Sequence, residues 1–353
     1  MPLWALLIPF SAAAVLLLAV FFPVDSWLTL LSAAALIAAV LAAVHHAEVV
    51  AHRTGEPFGT LVLAVAVTVI EVALIVSLMI SGGDDKAALP RDTVFSAVMI
   101  ICNGVVGLCL LVGGLRHHEQ EFRAEGAGSA LACLFALATL TLVLPTFTTS
   151  APGPYYTVAQ LAFAGTASLV LWGVFVFVQT VRHRDYFLPA GAAADEHAAP
   201  PTARIAWASF ALLLVCLIAV VGLAKVLAPT IEGAVAAAGA PIAVIGIAIA
   251  LLVLLPETWA ALRAARANRL QTSLNLALGS ALASIGLTIP VVALVSVWLD
   301  MRLELGLGPK DLVLLVATFV VGAITLGTGR TTVMQGAVHI VLLAAFLFLA
   351  FAP

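Results

Sequence analysis

The sequence predicts an all-α polytopic membrane protein of about eleven transmembrane helices, one N-terminal helix followed by two inverted repeats of five. Three observations predict it. The 353 residues are 63% hydrophobic and only 9% charged, with a mean hydropathy of +1.20, whereas a soluble domain carries about a quarter charged residues. The apolar residues gather into runs of about 20, the length that crosses a bilayer as a helix. A lone glutamate recurs in the second span of each half, Glu71 in the first and Glu257 in the second. A net charge of −3 offers no basic surface to nucleic acid. The partners implied are the lipid bilayer and inorganic cations, and no residue pattern specifies an oligomer.

The first run, 3–21, has no basic segment before it and is long enough to span. It reads as a transmembrane helix occupying 1–22, not as a cleaved signal. Runs at 27–45, 58–80, 93–115, 128–148 and 158–181 form the first repeat, 23–181. Glu71 sits in its second run, within V-T-V-I-E-V-A-L-I. The most polar connection, 182–204, is rich in Pro, Gly and Ala, carries Asp185, Asp195 and Glu196, and reads as a flexible linker. Runs at 205–228, 240–262, 272–298, 312–328 and 333–351 form the second repeat, 205–353, with Glu257 in L-V-L-L-P-E-T-W-A-A-L. In each repeat the glutamate-bearing span precedes one dense in small and polar residues, from Thr93 and from Thr272.

Alternating the spans places ten of the fifteen Lys and Arg on the side of the N-terminus. By the positive-inside rule that side is the cytoplasm, so the linker is cytoplasmic and the C-terminus lies outside a bacterial inner membrane. Five spans per repeat, an odd number, invert one repeat against the other, the plan of secondary transporters. The four cysteines, Cys102, Cys109, Cys133 and Cys216, all lie in apolar runs without CxxC spacing and read as small buried hydrophobes.

An ionisable group at mid-membrane costs at least about 2.5–3.5 kcal/mol. No Lys or Arg within the same span pairs with either glutamate. Each carboxyl is therefore protonated or holds a cation. Burial favours the uncharged form and a bound cation the charged one, so proton and cation compete for the same oxygens, as exchange requires. Two carboxylates also match one divalent ion, and oxygen ligands suit a hard cation such as Ca²⁺. Thr68 lies one turn before Glu71 on the same face. Asn103, and Asn275, Ser280 and Ser284 in the ninth span, complete the candidate ligands. Pro256, directly before Glu257, removes a backbone N–H and is expected to kink that span beside the carboxyl.

The stretches G-E-P-F-G-T-L-V-L-A-V-A-V-T-V-I-E-V, D-T-V-F-S-A-V-M-I-I-C-N-G-V-V-G-L, R-H-H-E-Q-E-F and P-E-T-W-A-A-L-R-A-A-R-A-N-R-L-Q-T-S-L-N-L-A-L-G-S-A-L-A-S-I-G-L-T-I-P resemble the bacterial ChaA-type Ca²⁺/H⁺ antiporters of the calcium/cation antiporter superfamily. The resemblance covers nearly the whole chain. It implies that Glu71 and Glu257 bind the cation, that Asn103 is the amide following the first glutamate, and that its second-repeat counterpart falls near Ser280 to Ser284. Two departures bear on the ion. The Gly-Asn-x-x-Glu pattern of the calcium/proton form is replaced by Val67-Thr68-Val69-Ile70-Glu71 and Val253-Leu254-Leu255-Pro256-Glu257, and a glutamine common in the second repeat is Ala283. Relatives of this branch are associated with Na⁺/H⁺ and K⁺/H⁺ exchange as well.

Histidines cluster where spans end: His45, His46, His52, His117 and His118. His117 and His118, with Glu119 and Glu121, are candidates for pH sensing or for cation and proton access; the bland alternative is a polar interfacial loop. The sequence thus predicts a transporter, not an enzyme: a cation/proton antiporter exporting Ca²⁺ (or Na⁺ or K⁺), with no cofactor beyond the transported ions. A Na⁺-driven calcium exchanger is the near alternative. A passive channel and an intramembrane lipid hydrolase are distant ones, the hydrolase because no His, Asp or Arg is expected deep in the spans.

Overall fold

In the computed structural model the chain is described at residues 2–23, 25–54, 58–188, 201–239, 241 and 243–352. Most of the linker, with Asp195 and Glu196, lies outside these. Among the described residues eleven long helices follow one another: α1 Leu3–Phe21, α2 Ser26–Thr54, α3 Phe58–Gly82, α4 Leu89–His117, α5 Ala124–Phe147, α6 Val158–Arg182, α7 Ala203–Ala237, α8 Ala243–Arg266, α9 Leu270–Trp298, α10 Pro309–Leu326 and α11 Val333–Phe351. Ten are long and apolar enough to cross a membrane; in α3 the described apolar stretch is Ala66–Ile80. The eleven apolar runs of the sequence each became a helix, and most helices extend past the hydrocarbon-length run into polar ends.

The helices form two compact units that interleave along the chain, Met1–Lys86 with Ala194–Ile245, and Ala87–Ala193 with Gly246–Pro353. These spatial units cut across the sequence repeats, because each half of the chain contributes helices to both.

In the first unit α2 packs along α7 and also meets α1 and α3, while α7 meets α1 and α3. Buried His46 fixes the α1–α2 contact through Nε2 and the Ala5 carbonyl, 2.8 Å apart. A short 3₁₀ turn, Gly83–Lys86, ends α3. It buries the Lys86 stem, whose Nζ pairs with Glu232 of α7 at 3.2 Å.

In the second unit α4 is the most enclosed helix. Glycines permit its close approach to α11: a methyl group at Gly336 would overlap the Leu111 backbone, and one at Gly107 would overlap His339. α9 packs on α6, α5 and α4; α10 packs on α5 and α11. A two-residue antiparallel pair, β1 Gln120–Glu121 with β2 Arg330–Thr331, ties the α4–α5 connection to the α10–α11 connection.

The α9–α10 connection is not a simple loop. Leu303, Leu305 and Leu307 are buried, and its backbone bonds the Ala87 and Leu142 carbonyls through Glu304 and Leu307 N–H groups at 2.9 Å. Arg91, at the start of α4, binds Asp92, Glu304 and the Gly306 carbonyl. An apolar alternation, Leu303-Leu305-Leu307, marks a segment folded back into the unit.

Candidate cation-binding site

Glu71 sits in the second half of α3 and is 3% exposed. Thr68, one turn earlier, is also buried, and Ile70, Leu74, Ile75 and Leu78 enclose the same part of the helix. Thr68 places one hydroxyl on the same helix face as the carboxyl.

Glu257 lies in α8 directly after Pro256. Proline has no N–H to give the Leu252 carbonyl four residues back, so the helix is weakened where the carboxyl projects. Glu257 is half-buried and its Oε2 is shielded from water. The Thr258 hydroxyl donates to the Leu254 carbonyl at 2.7 Å, so that hydroxyl supports the backbone.

Asn103 is fully buried within a wide π-helical turn of α4, Ile100–Val105. Its Nδ2 donates to Thr318 Oγ1 of α10 at 2.8 Å, and its Oδ1 accepts from Nδ1 of His339 on α11 at 3.1 Å. The Thr318 hydroxyl donates onward to the Leu314 carbonyl at 2.8 Å. His339 Nε2 faces Thr325 Oγ1 at 3.2 Å. Sequence reading missed His339, Thr318 and Thr325, and its expectation of no deep histidine is corrected here: His339 is 1% exposed in the middle of α11. Asn103, Thr318 and Thr325 make the membrane interior tolerable for it. The signal available in sequence was the spacing of Thr318 and Thr325, seven residues, which sets two hydroxyls on one helix face.

On α9, Ser284 is buried and Ser280 half-buried, one turn apart. Asn275 is not brought to them. At about 100° per residue it lies roughly 140° around the helix from Ser280 and opposite Ser284. Its carboxamide accepts from Gln271 at 2.9 Å and donates to the Phe187 carbonyl. Gln271 in turn accepts the Arg123 N–H at 2.7 Å. This chain of bonds holds the α4–α5 connection and the segment after α6 onto α9.

The rim residues are similarly engaged. His117 Nε2 lies 3.2 Å from the Arg266 carbonyl. His118 terminates α4 with φ at +65°, its N–H bonded to the Gly114 carbonyl. Glu121 and Glu119 face Arg330 at 3.2 and 3.7 Å, all exposed. Ion pairing to Arg330 reduces the negative field these two carboxylates present to an approaching cation.

The helices thus carry buried carboxyl, carboxamide and hydroxyl groups within largely apolar spans, and the comparisons with known proteins make the chain a membrane transporter. The chain belongs to the sodium/calcium exchanger protein family, which matches it in two segments, residues 25–181 and 208–352. It is 53% identical over 355 residues to a protein of Sinorhizobium fredii named as an ionic transporter, y4hA, covering 100% of this chain and 97% of that one. It is 36% identical to the sodium-potassium/proton antiporter ChaA of Escherichia coli, over 94% of this chain and 90% of the relative. Its fold is that of the H⁺/Ca²⁺ exchanger CAX, with a TM-score of 0.75 at 14% identity over 98% of this chain and 87% of that structure. The chain is thus a cation exchanger of this family, in the plasma membrane of a bacterium.

Proposed function

We propose that the protein is a secondary active cation/proton antiporter in which Glu71 and Glu257 alternate between protonated and cation-bound states. Inward proton flow then drives a cation out of the cell. The observation that carries the reading is Glu71, a carboxyl only 3% exposed in α3: burial favours its neutral form and a bound cation its charged form, so proton and cation compete there. Glu257 beside Pro256 gives the second half its corresponding group. The family match in two segments, residues 25–181 and 208–352, supports an exchanger built of two halves. Thr68, Asn103, Ser280 and Ser284 are the supporting oxygen ligands. Asn275, engaged elsewhere, is left out of that set.

Both Ca²⁺ and monovalent export remain within this reading. The relative at 36% identity is named for Na⁺ and K⁺, and the structural neighbour for Ca²⁺. The absence of Asn three residues before either glutamate favours the monovalent ions, because a divalent ion needs more oxygens. The N-terminus is assigned to the cytoplasm and the C-terminus to the exterior on the distribution of Arg and Lys.

Inverted vesicles energised to an acid interior test the proposal, with Ca²⁺, Na⁺ and K⁺ added in turn. At least one ion collapses the pH gradient with wild-type protein. Glu71→Gln and Glu257→Gln, inserted at equal levels, abolish the collapse. Normal exchange in either variant removes the two-carboxyl mechanism. A response that needs a Na⁺ gradient at fixed pH identifies a Na⁺-driven exchanger instead.

A further inference from the structure

We infer that His339 is a positioning residue for cation binding, which fixes the Asn103 carboxamide so that its oxygen presents one lone pair to the transported ion. The inference rests on the antiporter reading above and on Asn103 being a ligand in it.

The hydrogen-bond directions follow from one end of the network. The Thr318 hydroxyl has a single hydrogen, and the Leu314 carbonyl four residues back takes it at 2.8 Å. Thr318 Oγ1 can then only accept from Asn103, so the Nδ2 end of the carboxamide must point at it, 2.8 Å away. That orientation turns Oδ1 toward His339. The ring must carry its hydrogen on Nδ1 to donate to Oδ1. Nε2 is then a bare lone pair, and the Thr325 hydroxyl donates to it at 3.2 Å. One tautomer and one amide orientation satisfy these groups together.

The arrangement leaves Oδ1 with a second lone pair. A carboxamide in a π-helical turn would otherwise rotate freely about χ2 and expose nitrogen as readily as oxygen. Anchoring from behind by an N–H donor is how ligand side chains are held ready for a metal ion. Three elements contribute: the wide turn of α4 supplies the ligand, α10 its nitrogen partner and α11 its oxygen partner. Gly107 makes the approach possible, since a methyl group there would meet the His339 Cβ.

Vesicles carrying each variant are titrated with Ca²⁺, Na⁺ and K⁺, and the apparent KM and maximal rate are read for every ion that wild-type protein exchanges. His339→Leu keeps the volume and removes the donor. Its apparent KM rises about tenfold while protein amount and thermal unfolding stay close to wild type. His339→Asn, whose amide nitrogen falls where Nδ1 stood, restores the KM to within about threefold. His339→Gln, whose nitrogen falls nearer Nε2, does not. In an Asn103→Ala background, His339→Leu adds nothing further, because the residue acts through Asn103. A wild-type KM in His339→Leu, equal behaviour of the Asn and Gln variants, or additive losses in the double variant each overturn the inference. If His339→Leu does not fold, the Asn and Gln comparison decides alone. Glu71→Gln and Glu257→Gln are assayed alongside. Normal exchange in those variants defeats the antiporter reading itself, whatever His339 does.

Discussion

Arg91→Met is the substitution with the largest effect that the fold itself predicts. The guanidinium bonds Asp92 through Nε at 2.8 Å, the Gly306 carbonyl at 3.1 Å, and the Glu304 carboxylate. The three side chains are 16%, 13% and 26% exposed. Asp311 adds a further acidic neighbour. Removing Arg91 leaves two largely buried carboxylates, Asp92 and Glu304, without their shared cation, while Asp311 nearby keeps Lys310 at 3.8 Å. Stranding one partner of a buried pair costs about 3–5 kcal/mol. These carboxylates keep some contact with water, which discounts the figure to about 3 kcal/mol. That is roughly a hundredfold in the folded-to-unfolded ratio. Thermal unfolding in detergent, followed by tryptophan fluorescence, reads the loss. Adding Glu304→Met recovers part of it, since an apolar side chain removes one uncompensated charge. A loss below about 1 kcal/mol, or one unchanged by the second substitution, would show that the cluster does not pin the α9–α10 connection.

Further predictions concern single contacts. Glu232→Ala strands Lys86, 5% exposed, and costs about 2–3 kcal/mol, whereas Lys86→Met leaves the partly exposed Glu232 hydrated and costs under about 1 kcal/mol; unfolding midpoints of the two variants give the order. Gly336→Val drives side-chain atoms into the Leu111 backbone and lowers both folded yield and exchange, because α11 must move away from α4; vesicle flux per folded molecule checks it. Thr157→Ala breaks the capping box with Gln160 at the start of α6 and costs about 1 kcal/mol in thermal unfolding. Burial pushes the Tyr156 hydroxyl up to about 12, while it donates to the Leu140 carbonyl at 2.7 Å. Its contribution is complete below the ordinary tyrosine value near 10 and is lost as pH rises through about 12. Ultraviolet titration therefore finds Tyr156 still neutral at pH 11, and Tyr156→Phe removes that late step.

Helix number and order were legible because the bilayer sets a minimum apolar length for every span, and ten helices among the described residues meet it. The ends were less so. Ser26–Thr54 and Ala203–Ala237 run on well past their apolar runs, since Ala, Glu and Arg continue a helix into water at little cost. The fold-back at 303–307 is too short to read as a span, and its anchor, Arg91, which bonds Glu304, stands in another helix far along the chain. The wide turns in α4, α5 and α6 leave no mark in hydropathy. At the site, Glu71 and Glu257 stood out because a carboxyl is conspicuous among aliphatic residues. His339 did not, since its partners come from α4 and α10, 236 and 14 residues away along the chain.

The polar groups within the helices divide by what remains of their bonding capacity. Asn275 gives its oxygen to Gln271 and its nitrogen to the Phe187 carbonyl, so binding a cation there would break contacts that hold two segments onto α9. Asn103 is bonded at both ends too, yet a single N–H at its oxygen leaves that oxygen one lone pair. Thr318 and Thr325 are fixed by a backbone carbonyl and by His339, and act as anchors. A transported ion must enter and leave, so its ligands must exist without it at tolerable cost. A protonated carboxyl meets that condition, as does a carboxamide held from behind. A hydroxyl or amide that already closes a structural chain does not. By that criterion Asn275, bonded into a structural chain, is set apart from the two carboxyls and Asn103 of the proposed site.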